Sequence, residues 1–308
     1  MKPIRIGTRG SMLAKWQAEF VRKKILEVTG VDAEIVIIKT TGDKLQRASF
    51  AQIGGKGVFI KELEEALLSE EIDLAVHSVK DIPTEVPSRL CFPVICRRED
   101  ARDCLVAAKN EMLSTLRQGA RVGTSSLRRQ AQIRHIRPDL DVRELRGNVD
   151  TRLRKVESGE YDAILLAKAG LDRLGWSNRI SEVLSPEVCM PAVGQGALGV
   201  QARLKDNDIA DALAPLDDFE TRQSIVAERS LLAALEGGCQ VPLGAWARFE
   251  RGELAIDAVV CSPDGLQHVR QRATAAPDQA RELGQRVAQM LVDSGAREIL
   301  EEVYRQRG

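Results

Sequence analysis

One cysteine lies in a loop whose residue types suit covalent chemistry. Gly237 and Gly238 precede Cys239, and Pro242 follows it closely. The glycines free the backbone and the proline stops a following helix. A thiol with such small neighbours is accessible, so Cys239 is a candidate attachment point or nucleophile. The alternative is the common fate of a free cysteine, which is to serve as a small buried hydrophobe.

Arginine recurs beside glycine or hydroxyl residues at three predicted strand-to-helix junctions. These junctions are residues 7–11, 123–129 and 146–152. Ligands of open α/β sheets bind at the carboxyl ends of strands, and helix N-termini attract anions there. Arginine adds a charged fork that matches carboxylate or phosphate. For any one of these arginines, a solvated helix face is the alternative, but three junctions together predict an anion site.

Asp81 is the acidic exception among these cationic loops. It follows Lys80 and precedes Ile82-Pro83 at a predicted strand end. Its carboxylate could stabilise developing positive charge or assist proton transfer. The alternative is a turn aspartate that accepts a local N–H. Nearby His77 is expected to be satisfied in the core and is assigned no role.

Composition narrows the class of protein. The chain has 308 residues, with 45 Lys and Arg residues against 45 Asp and Glu residues, so its net charge is zero. No overall field therefore favours nucleic acid or membrane. The six cysteines and three histidines show no metal-binding spacing, and we expect no metal. With no signal peptide or membrane-length apolar run, we expect a reduced cytoplasmic protein.

Strands and helices alternate over the first two thirds of the chain, which favours mostly parallel sheets with helices on both faces. Strands are predicted at 4–7, 33–39, 74–76, 104–107, 121–123, 142–145, 163–167 and 198–202, and helices at 13–28, 59–67, 127–136, 149–157 and 168–174. After a helix leading to Cys239, strands at 243–249, 254–260 and 268–273 predict an antiparallel meander. Helices at 280–292 and 297–304 complete a small α+β domain.

A nucleotide is a poorer fit to the basic loops than a polycarboxylate. The phosphate-loop and dinucleotide glycine patterns are both absent, and no aromatic residue lies between Arg121 and Arg152 to stack on a base. Two other classes remain as alternatives. One is a non-enzymatic anion-binding protein of the periplasmic type, and the other is a nucleic-acid binder, whose duplex binding would fall steeply with salt.

In sequence order, the motifs together resemble the porphobilinogen deaminase (hydroxymethylbilane synthase) family over nearly the whole chain. The residues that carry the resemblance are Arg9 and Ser11, 54–57 (GGKG), 76–83 (VHSVKDIP), 123–129 (GTSSLRR), 145–148 (LRGN), 191–196 (PAVGQG) and 237–242 (GGCQVP). The sequence departs from the family pattern at Met12, Gln52 and Asp150. Of these, Gln52 would weaken one anion contact.

The resemblance implies a transferase that condenses four porphobilinogen molecules, with loss of ammonia, into linear hydroxymethylbilane. It implies a dipyrromethane cofactor joined to Cys239 by a thioether, and Asp81 as the catalytic residue. The cofactor-binding residues would be Lys56, Lys80, Thr124, Ser126, Arg128, Arg129 and Arg146, and the substrate-binding residues Arg9, Ser11, Arg146, Arg152 and Arg173. Each pyrrole unit carries two carboxylates, which agrees with the anion site expected from the loops.

The family fold implies three domains. Domain 1 would comprise 1–98 and 197–216, domain 2 would comprise 101–192, and domain 3 would comprise 219–308. The first two would resemble periplasmic binding proteins, with the cleft between them, and the third would carry the cofactor loop. We expect a monomer whose partner is the small molecule porphobilinogen, with no nucleic acid and no membrane.

Overall fold

The computed structural model describes residues 3–40, 60–235 and 241–305. Its strands are β1 (Ile4–Thr8), β2 (Ala33–Ile37), β3 (Leu74–Ser78), β4 (Leu90–Ile95), β5 (Asp103–Ala107), β6 (Arg121–Gly123), β7 (Asp141–Arg143), β8 (Ala163–Ala167), β9 (Glu182–Val183), β10 (Leu198–Arg203), β11 (Leu243–Glu250), β12 (Glu253–Cys261) and β13 (His268–Ala275). Its α-helices are α1 (Met12–Thr29), α2 (Lys61–Leu68), α3 (Leu127–Ile136), α4 (Val149–Glu157), α5 (Lys168–Arg173), α6 (Asn207–Leu213), α7 (Phe219–Ala234), α8 (Ala280–Asp293) and α9 (Ala296–Arg305).

The chain divides into two compact units. Unit 1 comprises 1–99 and 197–222, and unit 2 comprises 100–196 and 223–308. Unit 1 is built on sheet A, with strand order β2-β1-β3-β10-β4. Strand β10 runs antiparallel to both neighbours, and the other four share one direction. One face of sheet A packs on α1 and the other on α2, so the sheet is buried on both sides.

Helix α1 begins and ends at residues that favour helix caps. The side-chain oxygen of Ser11 accepts from the N–H of Ala14 at 3.3 Å, which satisfies one of the free donors at the helix N-terminus. Gly30 ends the helix in the left-handed conformation, at φ 69°. These caps fix where the chain leaves β1 and enters α1, which is the junction that carries Arg9.

Unit 2 contains two sheets. Sheet B has strand order β7-β6-β8-β5-β9, in which β5 alone runs against the other four. Sheet C is the antiparallel meander β11-β12-β13. It packs against α7, α8 and α9 through a core that includes Leu231, Ile256, Val287 and Ile299. Helices α7 and α8 approach each other closely at Gly284, where an added Cβ would lie 2.2 Å from the carbonyl oxygen of Ala227.

The predicted fold class is confirmed: two sheets of mainly parallel strands, and a small C-terminal α+β part with an antiparallel three-stranded sheet. Helices α3 and α4 begin and end at the predicted residues. Three elements were not predicted, namely β4, β9 and α6. Pro93 lies inside β4, and a proline argues against a strand unless the strand lies at an edge, as β4 does here. The division into three domains stays a prediction.

Candidate active site

The carboxyl ends of β1 and β3 bring three of the predicted site residues to one edge of sheet A. These strands are hydrogen-bonded parallel neighbours, in which Gly7 pairs with Ala75. Arg9 follows β1, while Lys80 and Asp81 lie in a 3₁₀ turn that directly follows β3. Because parallel strands end at the same edge, the sheet places the guanidinium-bearing loop beside the carboxylate-bearing turn.

Local hydrogen bonds hold both loops. The hydroxyl of Thr8 donates to the carbonyl oxygen of Ala14 at 2.9 Å, which ties the end of β1 to α1. On the other loop, the N–H of Val79 donates to the carbonyl oxygen of Ala197 at 3.0 Å. The amide of Gln17 then joins the two elements by donating to the hydroxyl of Ser78 at 2.9 Å. The two loops are therefore fixed to the same scaffold rather than held independently.

A small cleft with a cavity volume of about 70 Å³ opens at this edge. Its lining combines a cation, hydroxyl groups and an exposed carboxylate with an apolar wall. The lining residues are Arg9, Ser11, Leu13, Ala14, Gln17, Ile60, Leu63, Val76, His77, Ser78 and Asp81. Such a mixture suits a planar apolar ring that carries anionic groups. Three predicted residues thus meet here, and His77, which was assigned no role, lies among them.

The junction after β6 in sheet B is built from hydroxyl groups. Thr124 is buried, and its Oγ1 accepts from the N–H of Ser126 at 3.2 Å. The hydroxyl of Ser125 donates to the carbonyl oxygen of Leu145 at 2.7 Å, which links this junction to the segment after β7. Ser126 precedes α3 without a capping hydrogen bond from its side chain. Its hydroxyl group is thus not used by the helix that it starts.

Arg128 and Arg129 are buried, and both pair with Asp103, a carboxylate of the protein itself. Asp103 is fully buried, and Arg128 and Arg129 are 5% and 6% exposed. Arg128 donates to one oxygen of Asp103 at 2.6 Å, and Arg129 donates to the other at 2.7 and 3.1 Å. Arg129 also donates to the carbonyl oxygen of Leu165 at 3.0 Å, and Arg128 to that of Met190 at 2.5 Å. A guanidinium has five N–H donors, so these contacts leave some unused.

The charges of this cluster compensate one another. Burial alone would raise the pKa of the Asp103 carboxyl, but the charges and hydrogen bonds of Arg128 and Arg129 hold that pKa well below its usual range. Gln195 adds a hydrogen bond to Asp103 at 2.8 Å. The thiol of Cys189 donates to Asp103 at 3.2 Å, and burial raises the pKa of that thiol to about 12. Sequence reasoning missed Asp103, because nothing in the local sequence marks it as the partner of residues 25 and 26 positions away.

The other predicted arginines of unit 2 also have internal acceptors. Arg146 donates to Glu144 at 2.9 Å through Nε, and Arg152 donates to the carbonyl oxygen of Gly147 at 2.7 Å. Gly147 has φ 111°, a conformation that favours glycine. Arg173 is buried and donates to the carbonyl oxygen of Gly196 at 2.8 Å. The structure describes them within unit 2, while Cys239, Lys56 and Gln52 lie outside the described residues.

Two further observations concern metal and membrane. Across 3–40, 60–235 and 241–305, no three His, Cys, Asp or Glu side chains converge as a metal site would require. The same residues include no helix whose length and hydropathy would let it cross a bilayer. Five described cysteines are free thiols, at positions 91, 96, 104, 189 and 261.

Comparison with known proteins gives two family matches. Residues 4–211 match the model "Porphobilinogen deaminase, dipyromethane cofactor binding domain", and residues 223–293 match "Porphobilinogen deaminase, C-terminal domain". A porphobilinogen deaminase of Syntrophobacter fumaroxidans (strain DSM 10017 / MPOB) is 49% identical over 303 residues, which are 98% of this chain and 98% of the relative. The chain belongs to the porphobilinogen deaminase family.

The activity follows from the family. The protein is a transferase that condenses porphobilinogen, with loss of ammonia, into hydroxymethylbilane for tetrapyrrole synthesis. Its first family match is the domain that binds the dipyrromethane cofactor, so the predicted function and cofactor are confirmed. The alternatives of a non-enzymatic anion-binding protein and a nucleic-acid binder are not needed to explain the site.

Solved structures with a similar course of the chain are distant in sequence. A Bordetella pertussis BvgS VFT2 domain is 14% identical with a TM-score of 0.42, covering 68% of this chain and 84% of that one. A putative methionine-binding lipoprotein from Bacillus subtilis is 12% identical with a TM-score of 0.43, covering 70% and 90%. At such TM-scores the likeness is too distant to bear on the site.

The donor chemistry of the described residues fits the dipyrromethane cofactor. A dipyrromethane presents carboxylates and two apolar pyrrole rings, which call for cations, hydroxyl groups and an apolar wall. The junction after β6 offers the hydroxyl groups of Thr124 and Ser126 and the guanidinium groups of Arg128 and Arg129. When bound, the cofactor supplies the pyrrole to which the first substrate unit is joined.

Proposed function

We propose that the sheet A cleft is where porphobilinogen reacts, with Asp81 as the catalytic residue. The observation that carries this proposal is the meeting of Arg9, Ser11 and Asp81 in one cleft at the carboxyl ends of β1 and β3. Loss of ammonia leaves a cation spread over the pyrrole ring, and the arginine would repel it. The Asp81 carboxylate offsets that repulsion and holds the pyrrole N–H in line for attack.

The remaining roles follow the chemistry of each side chain. Arg9 and Ser11 bind substrate carboxylates, and Lys80 binds those of the cofactor from the same turn as Asp81. In unit 2, the cofactor is bound by Thr124, Ser126, Arg128, Arg129 and Arg146, and the substrate by Arg146, Arg152 and Arg173. For Arg128 and Arg129, the binding donors are the N–H groups that Asp103 and the backbone carbonyls leave unused.

Cys239 carries the cofactor through its sulfur, and Lys56 contributes a further cation. The chain acts as a monomer in the cytoplasm, binding porphobilinogen and no nucleic acid. The zero net charge supports this last point, since sequence-independent binding to nucleic acid depends on basic surface.

The cofactor assignment is tested by intact-protein mass. The purified protein should exceed its chain mass by two pyrrole units, and Cys239→Ser should lose both the adduct and turnover. Cys91→Ser is the matched control, because Cys91 is a free thiol in unit 1 and should be replaceable with little effect. An active protein without added mass, or an active Cys239→Ser variant, would contradict the assignment.

A further inference from the structure

His77 is a buried side chain of the sheet A cleft for which no role has yet been given. It lies in β3, is 5% exposed, and lines the cleft together with Arg9 and Asp81. Its ring approaches Phe92 edge-on, with the centroids 6.0 Å apart. Its Nε2 lies 2.9 Å from the side-chain oxygen of Gln201 on the neighbouring strand β10. The imidazole is therefore held by Gln201 and is one of the side chains that line the cleft.

A chain of hydrogen bonds determines which ring nitrogen of His77 carries the proton. The amide nitrogen of Gln201 donates to Glu64 at 2.9 Å, so its amide oxygen is the atom turned toward His77. An amide oxygen only accepts, and Nε2 must therefore be the N–H donor of this pair. A neutral imidazole protonated at Nε2 has a bare lone pair at Nδ1. Within the part of the chain that the structure describes, Nδ1 has no hydrogen-bond partner.

The imidazole is also uncharged at neutral pH. Burial lowers the pKa of His77 to about 4, and the positive charge of Arg9 acts in the same direction. The hydrogen bond from Nε2 to Gln201 opposes this only in part. Nδ1 is thus an acceptor under the conditions in which the enzyme works, rather than a group that alternates between donor and acceptor.

We propose that His77 Nδ1 accepts a hydrogen bond from an N–H group of porphobilinogen in the cleft, and that Gln201 and Glu64 are positioning residues that keep this nitrogen unprotonated. The proposal rests on the assignment of this cleft as the reaction site. It adds a second kind of recognition to that site. Arg9 and Ser11 bind the carboxylates of the substrate, whereas His77 accepts a hydrogen bond from one of its nitrogens.

Porphobilinogen has two N–H sources, namely the aminomethyl group and the pyrrole nitrogen, whose single N–H His77 would share with Asp81. For the aminomethyl group, a weakly basic acceptor has a chemical advantage, because it binds the ammonium without removing its proton. When the carbon–nitrogen bond then breaks, the electron pair stays on nitrogen and neutral ammonia leaves, while the positive charge remains on the pyrrole. A strong base would instead produce the neutral amine, from which the leaving group would be an amide ion.

Paired substitutions distinguish the two nitrogens of the ring. The amide oxygen of an asparagine can occupy the place of Nδ1, whereas the amide of a glutamine reaches the place of Nε2. We expect His77→Gln to lower kcat/KM by about tenfold, the scale of one unmade hydrogen bond, and His77→Asn to lower it clearly less. His135→Gln, at an exposed histidine of unit 2, is the control and should leave kcat/KM unchanged.

A merely structural role for His77 predicts the reverse order, because the glutamine would preserve the bond to Gln201 and the asparagine would lose it. Equal effects, or a better His77→Gln enzyme, would therefore overturn the proposal. Intact mass and denaturant unfolding of each variant show whether it carries its cofactor and folds. If neither variant folds, the nitrogen-15 spectrum of the wild-type protein, described next, tests the proposal without any substitution at His77.

Nitrogen-15 spectroscopy of the holoenzyme reads the proton position directly. With three histidines in the chain, the His77 signals can be assigned by loss in a single variant. We expect the neutral form protonated at Nε2, with an Nδ1 signal that moves when ligand binds. A His77 protonated at Nδ1, or an Nδ1 signal that no ligand moves, would rule the proposal out.

The ligands used in the spectrum separate the two sources of the N–H group. A pyrrole with both carboxylates but no aminomethyl group should move the Nδ1 signal if the pyrrole N–H is the donor. If only porphobilinogen moves it, added to Asp81→Asn holoenzyme to slow turnover, the aminomethyl group is the donor. Failure of this inference is distinct from failure of the proposed function. An Asp81→Asn enzyme with wild-type turnover would contradict the assignment of this cleft as the reaction site. If Asp81→Asn is inactive but the two His77 variants show the reverse order of effects, only the role of His77 is contradicted.

Discussion

The edges of sheets A and B have similar sequence signatures and different fates for their charges. In both, a strand ends in glycine or hydroxyl residues, and arginine lies either in the loop that follows, as at sheet A, or in the first turn of the next helix, as at sheet B. At sheet A, Arg9 lines an open cleft that it shares with the exposed Asp81. At sheet B, Arg128 and Arg129 lie buried against the fully buried Asp103. An arginine in such a junction can therefore also neutralise an internal carboxylate, as Arg128 and Arg129 do, and the tertiary fold decides whether such a partner is present.

The difference matters for the energy of each site. A buried carboxylate between two guanidinium groups lowers the cost of removing all three charges from water, so its loss destabilises the fold. The charges that line an open cleft can contact a bound ligand, so their loss affects binding and turnover. We therefore expect substitutions at the two edges to separate into a stability class and an activity class.

The largest effect should come from Asp103→Asn. This change leaves two buried guanidinium groups without a counter-ion and should lower the free energy of unfolding by about 3–5 kcal/mol. Chemical denaturation measures it. Asp100→Asn is the matched control, because Asp100 pairs with Arg102 at a partly exposed site and should cost about 1 kcal/mol or less. Equal losses for both variants would mean that the cluster is no more important than a surface pair.

Next in size is the substitution Arg9→Leu at sheet A. Removing a charged contact in a partly desolvated cleft should weaken ligand binding by about 2–5 kcal/mol, while the unfolding midpoint changes little. Arg129→Leu should in addition show a clear loss of stability, because Arg129 also pairs with the buried Asp103. Steady-state kinetics and unfolding of both proteins test the contrast. The comparison between the edges fails if Arg9→Leu destabilises the fold as much as Arg129→Leu does.

A smaller effect is expected at the glycines of β1 and β6, the strands that lead into the two arginine-bearing junctions. A side chain on Gly7 would lie 2.2 Å from Cδ1 of Ile72, and one on Gly123 would lie 2.8 Å from the ring of Tyr161. Gly7→Ala and Gly123→Ala should each cost about 1–3 kcal/mol of stability through overpacking. Adding Ile72→Val should recover part of the loss for Gly7→Ala and none for Gly123→Ala. If Ile72→Val gives no recovery, this contact is not what excludes a side chain at Gly7.

The smallest effect near neutral pH is the one that Asp103 has on how the free energy of unfolding depends on pH. The pKa of Asp103 is depressed in the folded protein, so its contribution to stability is complete above the unfolded value of about 3.9 and is lost as pH falls toward the folded value. Unfolding free energy should thus change little between pH 7 and pH 5 on account of this group and fall below about pH 4. Asp103→Asn should show a shallower fall, measured by denaturation at each pH. An identical slope in both proteins would contradict the depressed pKa.

The helices and most strands could be predicted because the spacing and type of the residues within each segment indicate its secondary structure. The periodic segments that became α3 and α4 were predicted to the residue. Strand β9 has only two residues, too few for any periodicity, and α6 has only seven, which is about two turns and too short for a clear helical pattern. The gathering of Arg9, Ser11 and Asp81 in one cleft could be anticipated from strand ends. The pairing of Arg128 and Arg129 with Asp103 could not, because it depends on how β5 lies against the neighbouring elements of sheet B.

The sequence could not assign a function to His77 for the same reason, namely that its partners are distant in sequence. Its position in β3 indicated burial, and burial was found. What gives the residue a function is the orientation of an amide on β10 and a carboxylate on α2, both distant in sequence. Residue type alone could not show which nitrogen of the ring would be protonated.

The central claim is that a single carboxylate in the sheet A cleft stabilises the cation formed when ammonia leaves. Asp81→Asn preserves the size of the side chain and removes its charge. Turnover of this variant, measured on protein shown by intact mass to carry its cofactor, should fall by about a hundredfold or more, the scale of losing one preorganised electrostatic contact. A folded, cofactor-bearing Asp81→Asn enzyme that turns over at the wild-type rate would make Asp81 a turn residue and contradict the account.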